Sequence, residues 1–134
     1  MPNSDGLQYE KISAKRPMSA SRWNIVFVYL DPVVGREQAR NRSALILSDD
    51  AFNQAMEVVT VLPITTQRPG RRVYLNEVLL PAEVSGLERT SIILAHQIRT
   101  ISQDRIKKVV NQLTDEDTRH ACLRAVQVHL GVYP

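Results

Sequence analysis

Residues 44–66 read ALILSDDAFNQAMEVVTVLPITT, and this stretch decides the fold. It holds two short aliphatic or β-branched runs, 44–47 and 58–62, each too short for a helix, so both are expected strands. Ser48, Asp49 and Asp50 stop the first run, and residues 50–56 leave room for one helical turn. Pro63 has no amide hydrogen for a ladder, which predicts a place at the strand's end or on a sheet edge. A connection this short makes the two strands antiparallel neighbours. The start of one then lies beside the end of the other, which sets Arg42 against Thr65.

Upstream, IVFVYL at 25–30 is β-branched and aromatic and ends at Asp31-Pro32, so it reads as a buried strand. Residues 32–41 form a polar loop containing Gly35. Downstream, the arginine-rich loop 67–72 leads to an apolar run at 78–80 closed by Pro81, then a turn at Ser85-Gly86. Residues 91–101, SIILAHQIRTI, read as one longer strand with Ile93, Ala95, Gln97 and Arg99 on a shared face. The Val109-Val110 pair favours a strand over a helix at 107–113. Thr114 with Asp117 three residues on predicts a helix start, and acids at 115–117 suit the positive end of its dipole. That helix runs to about Leu130, with Leu123, Val126 and Leu130 as its apolar stripe. Several strands with few crossover helices predict a mostly β fold: a small, mostly antiparallel sheet or barrel with one docked C-terminal helix. Residues 1–21 lack any sustained period and are expected to be a flexible leader to one folded domain at 22–134.

With 134 residues, 43% hydrophobic and 23% charged, the chain has enough apolar material for a single core. Its one cysteine, Cys122, excludes an intrachain disulfide and a multi-cysteine metal cage. Residues 25–30 are the longest unbroken apolar run, far too short to span a bilayer. Asp5, Glu10 and Lys11 stand where a signal peptide needs apolar residues, so a cytoplasmic protein without membrane association is expected. The net charge of +3 hides an imbalance: 13 arginines against 4 lysines. Six of the arginines (36, 40, 42, 68, 71 and 72) fall in two clusters, on the loops that the antiparallel pairing brings to one sheet edge. A guanidinium fork grips phosphate with two parallel hydrogen bonds, so an anionic partner is expected, nucleic acid above all. His96, His120 and His129 show neither metal-ligand spacing nor evident proximity to one another. No metal and no cofactor are expected.

Gly35-Arg36-Glu37-Gln38 followed by Arg42, then Pro63-Ile64-Thr65-Thr66, then Gln97-Ile98-Arg99-Thr100 resemble the successive signatures of the MazF/PemK-type toxin endoribonucleases. The likeness covers roughly residues 22–130, with the motifs in the family's order and spacing. It implies a small barrel-like antiparallel β fold with peripheral helices, and a homodimer that cleaves single-stranded RNA without a metal and is blocked by a small cognate antitoxin protein. By position it makes Arg42 and Thr65 catalytic and matches the family's loop glutamate to Glu37. Three departures stand out: Trp23-Asn24 where the family has Gly-Asp, Ser43 where it has proline, and His96 where an acid is common.

Metal-free cleavage uses the substrate's 2′-hydroxyl as nucleophile, so the protein must align the chain, stabilise the phosphorane and move two protons. Arg42 suits the charge and Thr65 the donation of a neutral hydrogen bond. Glu37 is a candidate general base, but arginines at 36, 40 and 42 would lower its pKa. It serves equally as an orienting partner for Arg42 or as a solvated loop ion pair. Arg36, Gln38, Arg40, Thr66, Gln67, Arg68 and Arg71 are candidate RNA contacts, while Gln97 and Arg99 are expected to brace the loop edge or a dimer. Two rivals use the same architecture without catalysis: a barrel-fold toxin that binds a protein such as DNA gyrase, and a degenerate antitoxin-binding corepressor.

Overall fold

The computed structural model describes residues 20–30 and 40–132. The expected strands appear, with added ones, as β1 (Asn24–Leu30), β2 (Arg40–Ile46), β3 (Val58–Thr66), β4 (Glu77–Leu80), β5 (Ser91–Leu94), β6 (Arg99–Ser102) and β7 (Ile106–Gln112). Three helices accompany them: α1 (Asp50–Ala55), α2 (Ala82–Ser85) and α3 (Glu116–Leu130). The strands form one antiparallel sheet in the order β4-β5-β3-β2-β1-β7, with β6 joining β3 beside β5. β4 and β7 end that path, so the sheet is barrel-like without closing.

The pleat sends alternate residues to opposite faces, and here both faces carry a core. Ile25, Leu45, Leu62 and Ile93 pack on one side with Leu113 and with Cys122 and Ala125 of α3. Val26, Val28, Ala44, Ile46, Val59, Val61 and Ile101 pack on the other. Burial on both faces is why the strand cores read as unbroken apolar runs rather than as alternating ones. Ala20 is buried in the second cluster, and the Ser21 amide donates to Asn24 Oδ1 at 2.7 Å. Residues 1–19 of the expected leader lie outside the described residues.

Four local expectations need correction. Pro63 sits inside β3, which is a central strand rather than an edge. The Thr60 carbonyl accepts from the Leu47 amide on the β2 side, so counting by twos aims residue 63 away from β2. On that side the ladder passes from β6, which pairs with 58–61, to β5, which pairs with 64–66. Proline occupies the gap between partners, where no donor is required.

The single strand expected over 91–101 is broken. β5 pairs Ile93 with Ile64, whereas β6 pairs Arg99 with Val61, so three extra residues must leave the ladder between them. They form a 3-10 turn at Ala95–Gln97. Ile93 and Arg99 therefore do not belong to one continuous face.

The cap of α3 is Asp115, not Thr114: its carboxylate accepts from the Thr118 amide at 3.0 Å and from the Thr118 hydroxyl at 2.6 Å. The apolar stripe is displaced as well. Cys122 and Ala125 are the buried helix residues, Leu123 and Val126 flank them, and Leu130 is exposed. Gly131, at φ 70°, then ends the helix in the left-handed conformation that glycine adopts without a Cβ penalty.

Candidate active site

Arg42 and Thr65 both lie inside strands, not beside them as their sequence surroundings implied. Ser43 pairs with Ile64, so one step along the same antiparallel register sets Arg42 opposite Thr65. Directly opposed residues share a face. Arg42 is level with Val28 on β1, a member of the second core cluster, which fixes Arg42 and the opposed Thr65 on the face of that cluster; Thr65 is level with Ile92 on β5. Both are half-buried, at the end of the sheet where β2 begins and β3 finishes. Among the described residues the Arg42 side chain has no hydrogen-bond or ion-pair partner, so its guanidinium is uncommitted to them.

Around the end of the same strands lies a hollow of about 410 Å³. Phe27, Ser43, Ile64, Thr66 and Ser91 line it from the sheet, Leu87, Glu88 and Arg89 from the loop after α2, and Thr65 borders it. Phe27 pairs with Ser43 and Ser43 with Ile64, so this floor is the face opposite that of Arg42. The expected single site is thus two-sided, with Thr65 at the seam.

Arg36, Glu37 and Gln38 lie outside the described residues. Arg40 opens β2, its backbone level with Leu30. Thr66 is exposed at the end of β3, and Arg68 and Arg72 project from the loop after it. The Gln67 amide donates to the Thr90 carbonyl at 3.0 Å, and its side-chain amide to the Arg71 carbonyl at 3.1 Å. Gln97 and Arg99 are exposed around the turn into β6, with Arg99 level with Val61.

Arg71 is committed elsewhere. Its guanidinium is forked onto Glu77, whose carboxylate also accepts from the Tyr74 amide at 3.1 Å and meets His96 Nε2 at 2.9 Å. The Arg71 hydrogen bonds above all, with those of Tyr74 and His96, overcome burial and hold the Glu77 pKa down to about 2. Sequence reading passed over Glu77, although a lone acid in the apolar run NEVLL was its signal. The histidines are also closer than their spacing implied: the His96 and His129 rings stand 6.2 Å apart.

A family model described as PemK-like, MazF-like toxin of type II toxin-antitoxin system matches residues 21–130. The chain belongs to this family. Among its relatives, Endoribonuclease EndoA of Bacillus subtilis is 35% identical over 99 residues, covering 74% of this chain and 84% of that protein. Endoribonuclease MazF of Staphylococcus saprophyticus is 30% identical over 118 residues, covering 84% of this chain and 92% of that one. The solved structure of Mycobacterium tuberculosis toxin MazF-mt6 superposes with a TM-score of 0.67 at 25% identity, covering 83% of this chain and 99% of that one. The open, barrel-like sheet with a docked C-terminal helix is thus the MazF-like fold. No helix among the described residues is long and apolar enough to cross a membrane.

Proposed function

We propose that this chain is a sequence-selective, metal-independent endoribonuclease toxin of the cytoplasm, acting on single-stranded RNA as a homodimer and neutralised by a cognate antitoxin protein. Membership of the toxin-antitoxin family and relatives named endoribonucleases support the reaction class. The observation that carries the residue assignment is the register that sets Arg42 across from Thr65 on one face of the sheet.

The 2′-oxygen forms a bond to the adjacent phosphorus while the bond from phosphorus to the 5′-oxygen breaks. The products are a 2′,3′-cyclic phosphate and a 5′-hydroxyl. One proton leaves the 2′-hydroxyl and one reaches the departing 5′-oxygen. Arg42 keeps its charge at any working pH, and its planar fork matches two phosphate oxygens as the phosphorane gains charge. Thr65 donates a neutral hydrogen bond to the same phosphate. Glu37, five residues before Arg42, is the nearest acid in the chain to it. The pH–rate profile of Glu37→Gln separates a general base, whose loss removes the acid limb, from an orienting partner, whose loss lowers the rate at every pH.

The test is single-stranded RNA incubated with the protein and EDTA, with the ends identified. Cyclic-phosphate fragments that vanish with Arg42→Ala support the reading. Intact RNA across a diverse set, from protein shown to be folded, replaces it with the non-enzymatic binder. A 2′-deoxyribose at the cleaved step removes the nucleophile, so continued cutting there would overturn the mechanism. Light scattering at micromolar concentration tests the homodimer, which a monomeric mass would exclude.

A further inference from the structure

We propose that the hollow bordered by Thr65 holds one unstacked nucleobase of the RNA, next to the scissile phosphate, and that Glu88 selects that base. The inference rests on the reading of the chain as an RNA-cleaving enzyme and adds the element that reads the sequence.

The lining pairs an apolar floor with hydrogen-bonding groups at its edge, which is the chemistry of a base site. Its floor is the Phe27 ring with Ile64, and Leu87 closes one wall, giving apolar surface against which a flat ring can pack. Hydroxyls of Ser43, Thr66 and Ser91 stand around that floor. Glu88 and Arg89 complete the lining, and the carboxylate accepts the N–H groups of a base edge. About 410 Å³ lies in the range of small-molecule pockets.

The wall carrying Glu88 is fixed before any ligand arrives. The Gln67 amide ties to the Thr90 carbonyl at 3.0 Å, the Leu87 amide to the Ser85 hydroxyl at 2.9 Å, and Asn111 Nδ2 to the Ser85 carbonyl at 2.7 Å. Ser91 Oγ donates to the Arg89 carbonyl at 3.0 Å, which leaves its lone pairs turned to other donors. Loops braced in this way lose little entropy on binding. Placement supplies the link to catalysis: Thr65 belongs both to the strand face of Arg42 and to the rim of the hollow. A phosphate held at Thr65 therefore delivers a neighbouring base over the end of the sheet.

A carboxylate discriminates among bases. Guanine offers two adjacent N–H donors on its Watson–Crick edge, whereas uracil flanks its one N–H with two carbonyls that repel an acid. Guanine is the base Glu88 suits best, and Arg89 suits its O6 and N7.

The experiment measures kcat/KM on short RNAs that vary one base at a time on either side of the cleaved bond, for wild type, Glu88→Gln and Phe27→Leu. Glu88 is an exposed loop residue, so its glutamine variant leaves the core untouched. At one position, Glu88→Gln should reduce the advantage of the preferred base about tenfold or more. Phe27→Leu should weaken all four bases at that same position. Unchanged preferences at every position in the Glu88 variant overturn the proposal. A second arm titrates uncleavable 2′-O-methyl versions of the same RNAs by fluorescence anisotropy. Cleavage that persists without any dependence on Glu88 sinks the base pocket alone. Absence of both cleavage and binding in the wild type sinks the ribonuclease reading and the pocket with it. Base-dependent binding that Glu88→Gln abolishes upholds the pocket even where cleavage fails.

Discussion

Arg71 grips Glu77 with both arms of its guanidinium, at 3.0 and 2.7 Å, and the carboxylate it holds is only 3% exposed. Together with the Tyr74 amide and His96, this pair pins the loop after β3 to the edge strand β4 and to the turn between β5 and β6. The folded-state pKa of about 2 lies below the ordinary value of 4.5. Glu77 therefore stabilises the fold fully above about pH 4.5, and that contribution is lost as pH falls from there toward 2. Glu77→Gln should cost about 2 kcal/mol at neutral pH, the loss of charge-assisted hydrogen bonds to a partly exposed arginine. Urea unfolding of both proteins between pH 7 and pH 2 checks this: the two stabilities should converge across the acid range. A gap that stays constant with pH would remove Glu77 as the titrating group.

The facing positions of Arg42 and Thr65 predict coupled losses of activity. Arg42→Ala should lower kcat/KM on single-stranded RNA by about 10²–10³. Arg42→Lys should recover little, because an ammonium offers a point charge where the fork gave two directed bonds. Thr65→Val should cost up to about tenfold, the loss of one neutral hydrogen bond. Side chains that serve one phosphate are not independent, so the double variant should lose less than the product of the single losses. Cleavage of a fluorogenic RNA by wild type, Arg42→Ala, Thr65→Val and their double variant measures the coupling. Strictly multiplicative effects would mean that the two groups do not share a phosphate.

The relation between β2 and β3 was legible because turn-forming residues bound two apolar runs and the link between them is short. That was enough to oppose Arg42 and Thr65. What stayed hidden depends on partners distant in the sequence. The break in 91–101 exists because β5 and β6 both lie along β3 in registers three residues apart, a condition set by β3 rather than by SIILAHQIRTI itself. Pro63 is tolerated in a central strand for the same reason. Arg71 reads as one more cation of a phosphate-binding loop until the fold brings Glu77 against it. The cap of α3 was a closer contest: Thr114 and Asp115 each have a suitable residue three positions on, and the carboxylate at Asp115 satisfies both the amide and the hydroxyl of Thr118.

Trp23 holds φ at 71°, in the left-handed region that L-residues with side chains rarely adopt. Its amide donates to the Ile46 carbonyl at 2.8 Å and its carbonyl accepts from the Leu113 amide at 2.7 Å, so the strained backbone is fixed at both ends. The ring packs in the core beneath α3, with Arg22 at 4.9 Å and Arg119 at 5.2 Å from its centroid. Trp23→Gly should relieve about 1–2 kcal/mol of backbone strain and forfeit about 3–5 kcal/mol of aromatic packing. The net loss is about 1–4 kcal/mol, to be read by urea unfolding followed by circular dichroism. A variant as stable as wild type would show that the backbone strain cancels what the ring contributes.

Cys122, the only cysteine, lies on the inner face of α3 against the first core cluster, where burial pushes its thiol pKa up to about 12. A thiol reacts as its thiolate, and both the raised pKa and the surrounding side chains keep that form from reagents at neutral pH. Native protein at pH 8 should therefore leave a disulfide reagent such as dithionitrobenzoate unconsumed over minutes, and denaturant should release one thiol per chain at once. Native-state reaction is limited by the opening of α3 from the sheet, so its rate reports how often that helix undocks. Glu77→Gln weakens the packing beside the C-terminal part of the helix, where Asn76 touches His129 at 3.4 Å, and should speed the thiol reaction by the same factor by which it lowers local stability. Equal rates in the two proteins would show that α3 opens independently of the Arg71–Glu77 pair.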